Sequence, residues 1–525
     1  MPDAIDNYDV VIIGGGLAGM TLALQLQQQS PEIDIAVLER DSLPPPVAAH
    51  KVGESTVEIG ARYLSHTLGL KELLERTQLR KFGLRYFFGS GVHDDLSRAD
   101  ELGISTTLPA ISYQLDRGKL EGDLADILHE RGIAVQDNAL VKQATLGENG
   151  GAHEIQVKRN DELATVRCRW LVDASSLAAV LKRGLGIGKS CDHKMGAAWF
   201  RLDKSISVDD WSGSDEWLQR CDQPRFLSTN HLMGTGYWAW IIPLAENRTS
   251  VGLVADPDIH PLSTYNNFDK FARWLSLHQP MLASEVAGAP DALMDFRFRK
   301  NLSQDSGLTW SADRWALTGE AGLFADPFYS PGSDLIALSN TFVCDLIQRE
   351  RSGSRFPLHV AIYQQMYQSF YSIIMTLYER QYPGFGDTRL MVVKTTWDYA
   401  YNWSVLTWLY FRELITDTAF LRSYQARLAE MRSLNEKMQG AFRQRGAERN
   451  QDEGQGRFFD QRAIPLLYDL KSALVEPTAS PDVEITENCK RLESLSPILL
   501  SLLAEGSSNG KGTCSLLGDL RQRLN

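Results

Sequence analysis

Gly14, Gly16 and Gly19 fall within the run Gly14-Gly15-Gly16-Leu17-Ala18-Gly19. This spacing can hold a dinucleotide. The first glycine permits a tight turn, the second lets backbone approach a pyrophosphate, and the third lets a helix lie close on a strand. The N–H groups around Ala18, at a helix start, supply partial positive charge for the phosphates. Glu39 follows about 20 residues later, where a carboxylate accepts hydrogen bonds from ribose hydroxyls. Three other segments have residue types suited to chemistry. Lys81-Phe82-Gly83 precedes the aromatic run Arg85-Tyr86-Phe87-Phe88. A lysine there can donate a strong hydrogen bond, or lose its proton readily if buried. Trp238-Ala239-Trp240-Ile241-Ile242-Pro243 carries two tryptophans two residues apart, and Phe324 to Gly332 forms a loop rich in proline and glycine. Such a loop can gather N–H groups into an anion seat.

The elements that must position these residues follow from periodicity. Tyr8 to Ile13 is a continuous β-branched run, as in a parallel strand buried on both faces. Residues 17–29 take helical periodicity and residues 33–40 form a second apolar strand, which together make one βαβ unit. The Pro-rich stretch from 43 leads into Lys51-Val52-Gly53-Glu54-Ser55-Thr56, and residues 113–135 read as a helix followed by a strand. Residues 194–255 and 290–300 alternate as an antiparallel sheet. The strand Trp315 to Gly319 then returns the chain to its first domain. These readings predict an α/β protein: a Rossmann-like dinucleotide-binding domain, which by this unit alone takes either FAD or NAD, with an inserted antiparallel β-sheet substrate domain and a helical C-terminal region. The expected boundaries are 1–190 and 306–355 for the dinucleotide-binding domain, 191–305 for the substrate domain and 356–525 for the helical region. Residues 446–460 read as a polar linker or mobile loop, and 505–513 as a Gly/Ser-rich break. The aromatic helical stretch 363–415 reads as core, with a substrate tunnel or carrier-facing surface as the other reading.

The N-terminal domain resembles the FAD-binding fold shared by aromatic hydroxylases and flavin-dependent halogenases. Tyr113 to Arg117 resembles the segment that places an arginine near the flavin, so Arg117 is either a flavin contact or an exposed helix-start arginine. Leu171-Val172-Asp173-Ala174-Ser175 resembles the family's DASG strand end, with Ser176 where glycine is usual. Thr318-Gly319-Glu320-Ala321 resembles its GDA segment, with Glu320 in place of aspartate. Lys51 and Ser55 lie in a segment similar to a flavin-side loop, where Lys51 is structural or contacts phosphate or flavin. Three further segments resemble the flavin-dependent halogenases in particular. Trp238 and Trp240 fit WxWxIP, whose tryptophans wall off the flavin from the halogenation site; core packing is the alternative for either. Lys81 matches the lysine thought to hold or receive the electrophilic halogen. Phe324 to Gly332 fits FxxPxxSxG, which places Pro327, Ser330, Gly332 and Ser333 in the loop beside the flavin ring. The halide is bound there by N–H groups, but Pro331 has none, so Gly332, Ser333 and the Ser330 hydroxyl are the substitutes. Asp334 would repel an anion if it pointed inward. Tyr329 stands where tryptophan halogenases carry a glutamate.

The resemblance implies that reduced FAD from a separate reductase, oxygen and a halide ion as co-substrate generate hypohalous acid. The acid reaches Lys81 and is captured by an electron-rich aromatic substrate. This substrate is a phenol, pyrrole or related biosynthetic intermediate, free or tethered to a carrier protein. A monooxygenase on the same fold, favoured by Pro331 and Glu320, is the first alternative; a non-catalytic FAD-binding partner in a biosynthetic complex is the second. The net charge of −12 argues against nucleic acid as a partner. Six scattered cysteines without zinc spacing imply thiols in a reducing compartment and no metal. The acidic start and the lack of any apolar stretch of about 18 residues imply a cytoplasmic protein without a membrane span.

Overall fold

A computed structural model describes residues 6–46, 51–89, 94–148, 150–159, 161–354 and 356–505. The expected break at 505–513 therefore lies almost wholly outside the described residues, as does Cys514. The chain forms two compact units. The first is Met1–Thr77, Leu115–Asp192 and Ser303–Ser372; the second is Gln78–Gln114, His193–Leu302 and Ile373–Asn525.

The first unit is built on a mixed sheet. Its parallel centre runs Trp315–Leu317, Glu162–Asp173, Asp6–Ile13, Ile35–Leu38 and Ala134–Gln136. The strands His153–Arg159 and Leu140–Thr145 extend it antiparallel from the first half of Glu162–Asp173. Val10, Val11 and Ile12 have no exposed surface, as a centre strand covered on both faces requires. Val11 and Ile13 join one apolar cluster with Ala36, Leu38, Leu171 and Trp315. On the other face Ile12 meets the helix Leu17–Gln29 at Gly19. The helix Gly332–Arg351 is tied to that helix by one buried side chain: the Asn340 amide lies within 3.1 Å of the Ala18 carbonyl and the Thr21 hydroxyl, and 3.0 Å from the Tyr63 hydroxyl. The Thr318 hydroxyl donates to its carbonyl oxygen at 2.5 Å. Sequence patterning gives no sign of this knot.

The second unit carries an eight-stranded sheet in the order Leu293–Arg299, Gly196–Leu202, Arg248–Ala255, Tyr237–Leu244, Thr229–Gly234, Leu84–Phe88, Asp100–Gly103 and Phe458–Asp460. The expected antiparallel insertion supplies its first five strands. Its other members come from elsewhere in the sequence, and two pairings are parallel: Thr229–Gly234 with Leu84–Phe88, and Phe458–Asp460 with Asp100–Gly103. The polar stretch 446–460 is thus not simply a linker. Its end is a strand, held because the Asp100 carboxylate accepts the Gln455 and Arg457 N–H groups at 3.1 Å and pairs with the Arg457 guanidinium. Helices Thr388–Ser404, Gln425–Gly446, Pro465–Val475 and Pro481–Glu505 complete this unit. No helix among the described residues is long and apolar enough to cross a membrane.

Candidate active site

The glycine turn has the geometry its spacing implies. Gly14 has φ +109°, and a side chain there would meet the Ala174 carbonyl oxygen at 2.5 Å. A side chain on Gly19 would overlap the Gly14 carbonyl. At Gly16 an added Cβ would meet only the Lys51 Nζ, at 3.8 Å. Two glycines therefore close the turn, and the third leaves open space at a helix start, which fits a pyrophosphate. The Glu39 carboxylate accepts the Gly15 N–H at 2.7 Å and the Asp41 N–H at 2.9 Å, bracing the turn. Each oxygen keeps a lone pair for a ribose hydroxyl. Gly19→Ala is expected to cost about 1–3 kcal/mol through overpacking. Gly16→Ala should leave the melting temperature of the flavin-free protein unchanged while weakening FAD binding. Thermal melts and flavin fluorescence titration check both.

Around the turn, Gly319 takes φ +59° and lies against Ala18, where a side chain would come within 2.8 Å of the Ala18 methyl. Ser176 takes φ +52°, so the usual glycine at that position has a backbone reason. Its hydroxyl donates to the Glu320 carboxylate. Asp173 has no exposed surface, and its carboxylate accepts the Ser175 N–H and hydroxyl and the Leu181 N–H. Burial raises its pKa. It braces the turn that follows its strand. Ser55 is buried.

Arg117 is not an exposed helix-start residue. Its side chain is 10% exposed and pairs with Glu121, one helical turn on. Glu121 is a residue that sequence reasoning missed, although its spacing of four from Arg117 was a readable signal. Its side chain is fully buried. One oxygen accepts the Leu17 N–H at 3.2 Å and the Arg117 Nε–H at 3.1 Å, and the other pairs with Lys51. Burial would raise this carboxyl, but the neighbouring Arg117 and Lys51 charges outweigh it and lower its pKa.

In the Pro/Gly loop, Tyr329 and Ser330 take φ +68° and +59° in succession, a left-handed strain that non-glycine residues adopt only under constraint. Asp326 imposes part of it by accepting the Phe328 N–H at 2.9 Å. The Ser330 N–H donates to the Pro327 carbonyl at 2.8 Å and is already spent. Pro331 adds no donor. The first N–H groups of the helix that follows, at Gly332 and Ser333, have no acceptor within that helix. The Ser333 hydroxyl is buried without a hydrogen-bond partner. Asp334 is turned aside: its carboxylate accepts the Gly60 N–H at 2.8 Å.

Lys81, Trp238 and Trp240 belong to the second unit. The pairing register places Tyr86 beside His231 and His231 beside Trp240. Trp238, two residues from Trp240, shares that face. The alternate residues Phe87, Leu232, Ala239 and Ile241 form the apolar core on the other face. Both tryptophans thus lie on the face opposite that core. His231 stacks on Tyr86 at 4.7 Å and tilts against Trp238 at 5.3 Å, with Trp238 and Trp240 5.5 Å apart. The Trp238 indole donates to the Tyr382 hydroxyl at 2.9 Å, and the Trp240 indole to Ser250 at 3.1 Å. A side chain at Gly252 would overlap the Trp240 ring. Lys81 is 5% exposed, and its charge acts on His231. Burial, joined by the Lys81 charge, lowers the His231 pKa to about 3, so this imidazole stays neutral. His231 is the second residue the sequence did not disclose. No group of side chains suited to a metal ion occurs among the described residues.

Comparison with known proteins identifies what the chain is similar to. Residues 7–254 match the FAD binding domain family. A flavin-dependent halogenase of Dictyostelium discoideum is 28% identical over 392 residues, covering 68% of this chain and 62% of that protein. The chain thus spans less than two thirds of that relative. A 1H-pyrrole-2-carbonyl peptidyl-carrier-protein chlorinase of Pseudomonas fluorescens is 25% identical over 404 residues, covering 71% of this chain and 84% of the relative. The crystal structure of halogenase PltM in complex with phloroglucinol and FAD shares the fold, with a TM-score of 0.65 at 16% identity over 94% of this chain and 96% of that one. The glycine turn with its flavin-side segments lies within the stretch that matches the FAD binding domain family, and over most of its length the chain is similar to flavin-dependent halogenases.

Proposed function

We propose that this protein halogenates an electron-rich aromatic ring. The observation that carries the reading is the buried Lys81, acting electrostatically on a neutral imidazole set between Tyr86 and Trp238. FAD would be held by Gly14, Gly16, Ala18, Gly19, Glu39, Lys51, Ser55, Arg117, Asp173, Gly319, Glu320 and Pro327. When bound in its reduced form, FAD supplies with oxygen the two-electron oxidation of halide to hypohalous acid. The helix start at Gly332 and Ser333 offers the halide N–H groups and a partial positive charge, and Asp334 is diverted from it by Gly60. Lys81 receives the halogen, either by hydrogen-bonding hypohalous acid or by forming a haloamine. In the second case an N–H bond breaks, an N–halogen bond forms and water leaves. The aromatic carbon then takes the halogen and gives up its proton. The face made by Tyr86, His231, Trp238 and Trp240 excludes water and adds no competing positive charge.

A separate reductase would deliver the reduced flavin. The carrier-protein and phloroglucinol relatives support two forms of substrate, a tethered pyrrole and a free phenol. One observation favours the monooxygenase alternative: Pro331 has no N–H, and that of Ser330 is already committed. Incubation with reduced FAD, oxygen, bromide and a panel of phenols, indoles and pyrroles decides between them. Halogenase activity gives products whose mass and isotope pattern follow the halide supplied. Hydroxylated products alone would falsify it.

A further inference from the structure

The Lys51–Glu121–Arg117 cluster carries an inference beyond the reaction itself; it rests on the FAD reading alone and is independent of halide chemistry. The helix start at Leu17 and the two cations are the natural seat for a pyrophosphate. In this chain the seat already contains an anion. The Glu121 carboxylate engages Leu17, Arg117 and Lys51 together, with no exposed surface of its own. Arg117 is anchored independently, donating to the Val52 carbonyl at 2.9 Å. Lys51 is the solvent-facing member, with 35% of its side chain exposed. One buried negative charge thus offsets one of the two positive charges that a phosphate would meet.

We infer that Glu121 limits the affinity of the site for FAD, so that the flavin is exchanged with solution and not held permanently. A built-in carboxylate that shares the phosphate's partners shortens the flavin's stay. Diphosphate binding then requires Lys51 and Arg117 to divide their donors between Glu121 and the ligand. Such competition appears mainly in the dissociation rate.

The test is FAD binding to the flavin-free full-length protein, measured by fluorescence titration and stopped-flow dissociation. Glu121→Gln keeps an acceptor for the Leu17 N–H and removes the charge. It is expected to tighten FAD binding by about tenfold or more, chiefly through slower release, as for one unit charge removed near a partly buried anion. It should also steepen the fall of affinity with salt. Lys51→Met should weaken binding, and the double variant should return towards the wild-type value. Unchanged or weaker binding by Glu121→Gln, with a wild-type circular dichroism spectrum and melting curve, overturns the inference and leaves the FAD assignment standing. Failure of the wild-type protein to bind FAD overturns both. Should Glu121→Gln not fold, Glu121→Asp is the second variant. Its shorter carboxylate is expected to give tighter binding, and weaker binding would count against the inference.

Discussion

Lys81→Ala is expected to lower halide-dependent product formation by about two orders of magnitude or more, the scale of losing one positioned group at a reacting centre. FAD affinity should not change. The segment has ties of its own besides the lysine side chain. Its backbone is fixed by the Lys81 N–H on the Ser112 carbonyl and the Phe82 N–H on the Leu227 carbonyl, both at 2.9 Å. The Ser228 hydroxyl adds a third tie, donating to the Phe82 carbonyl at 2.8 Å. Truncation therefore removes an ammonium or amine from an intact loop. His231 does not replace it as a charged group, because this imidazole stays neutral and its Nδ1 is hydrogen-bonded to the Arg85 carbonyl at 3.0 Å. Lys81→Arg separates two roles. A guanidinium still donates hydrogen bonds but does not lose a proton to become a nucleophilic amine. Little activity with arginine points to haloamine formation; substantial activity points to a hydrogen-bonded hypohalous acid. In both variants halide oxidation should continue, so free hypohalous acid should accumulate and be caught by an added thioether. Mass spectrometry of product and trap, beside flavin titration, measures each part. Wild-type product yield in Lys81→Ala would remove the lysine from the mechanism.

What the sequence disclosed about this site depended on how far apart the interacting residues lie. The glycine turn was readable because Gly14, Gly16, Gly19 and Glu39 sit in one βαβ unit and act through local backbone geometry. Lys81, Trp238 and Trp240 are each marked by a short motif. The shared face of Tyr86, His231 and Trp240 was not readable, since it follows from a parallel pairing between strands that the sequence separates widely. A histidine within Thr-Asn-His-Leu-Met reads as an ordinary strand residue until Tyr86 is placed beside it. Glu121 was half legible through its spacing from Arg117, but its pairing with Lys51 is tertiary. Residues 446–460 were misread for a related reason. Their composition is polar, yet Arg457 and its neighbours are held by Asp100, a buried carboxylate far away in sequence. Pro331 shows the opposite case. The missing donor was plain from the residue type, whereas the turning of Asp334 onto Gly60 required coordinates.

Glu101→Gln is expected to destabilise the protein by about 3–5 kcal/mol, because it leaves the buried Arg85 guanidinium without its counter-charge and Arg225 with only Asp209, 4.0 Å away. Glu101 is 1% exposed, and Arg85 and Arg225 have no exposed surface. Arg85 pairs with one carboxylate oxygen, and Arg225 reaches both, at 2.8 and 3.2 Å. The Trp217 indole donates to the second oxygen at 3.0 Å, while the Arg225 guanidinium lies 3.8 Å over the same ring system. The remaining donors have few other acceptors: Arg85 reaches the Ile104 carbonyl at 2.7 Å and Arg225 the Trp217 carbonyl at 2.7 Å. A glutamine would accept some of these hydrogen bonds, but its own N–H₂ would face cationic donors, and the two guanidinium groups would lose the one carboxylate they share. Gly103 adds to the constraint, since a side chain there would come within 2.9 Å of Arg85. The cluster also bears on the lysine, because Arg85 lies on the strand that follows Lys81 and contacts Ser228 at 3.3 Å, the residue that ties Phe82. Urea denaturation followed by tryptophan fluorescence and circular dichroism measures the loss. Combined replacement of Arg85, Glu101 and Arg225 by Met, Leu and Met should recover most of it, since removing a whole buried ion cluster in favour of apolar side chains is often nearly neutral. If Glu101→Gln alone costs less than about 1 kcal/mol, as an exposed pair would, the carboxylate is not what holds the two arginines inside the unit.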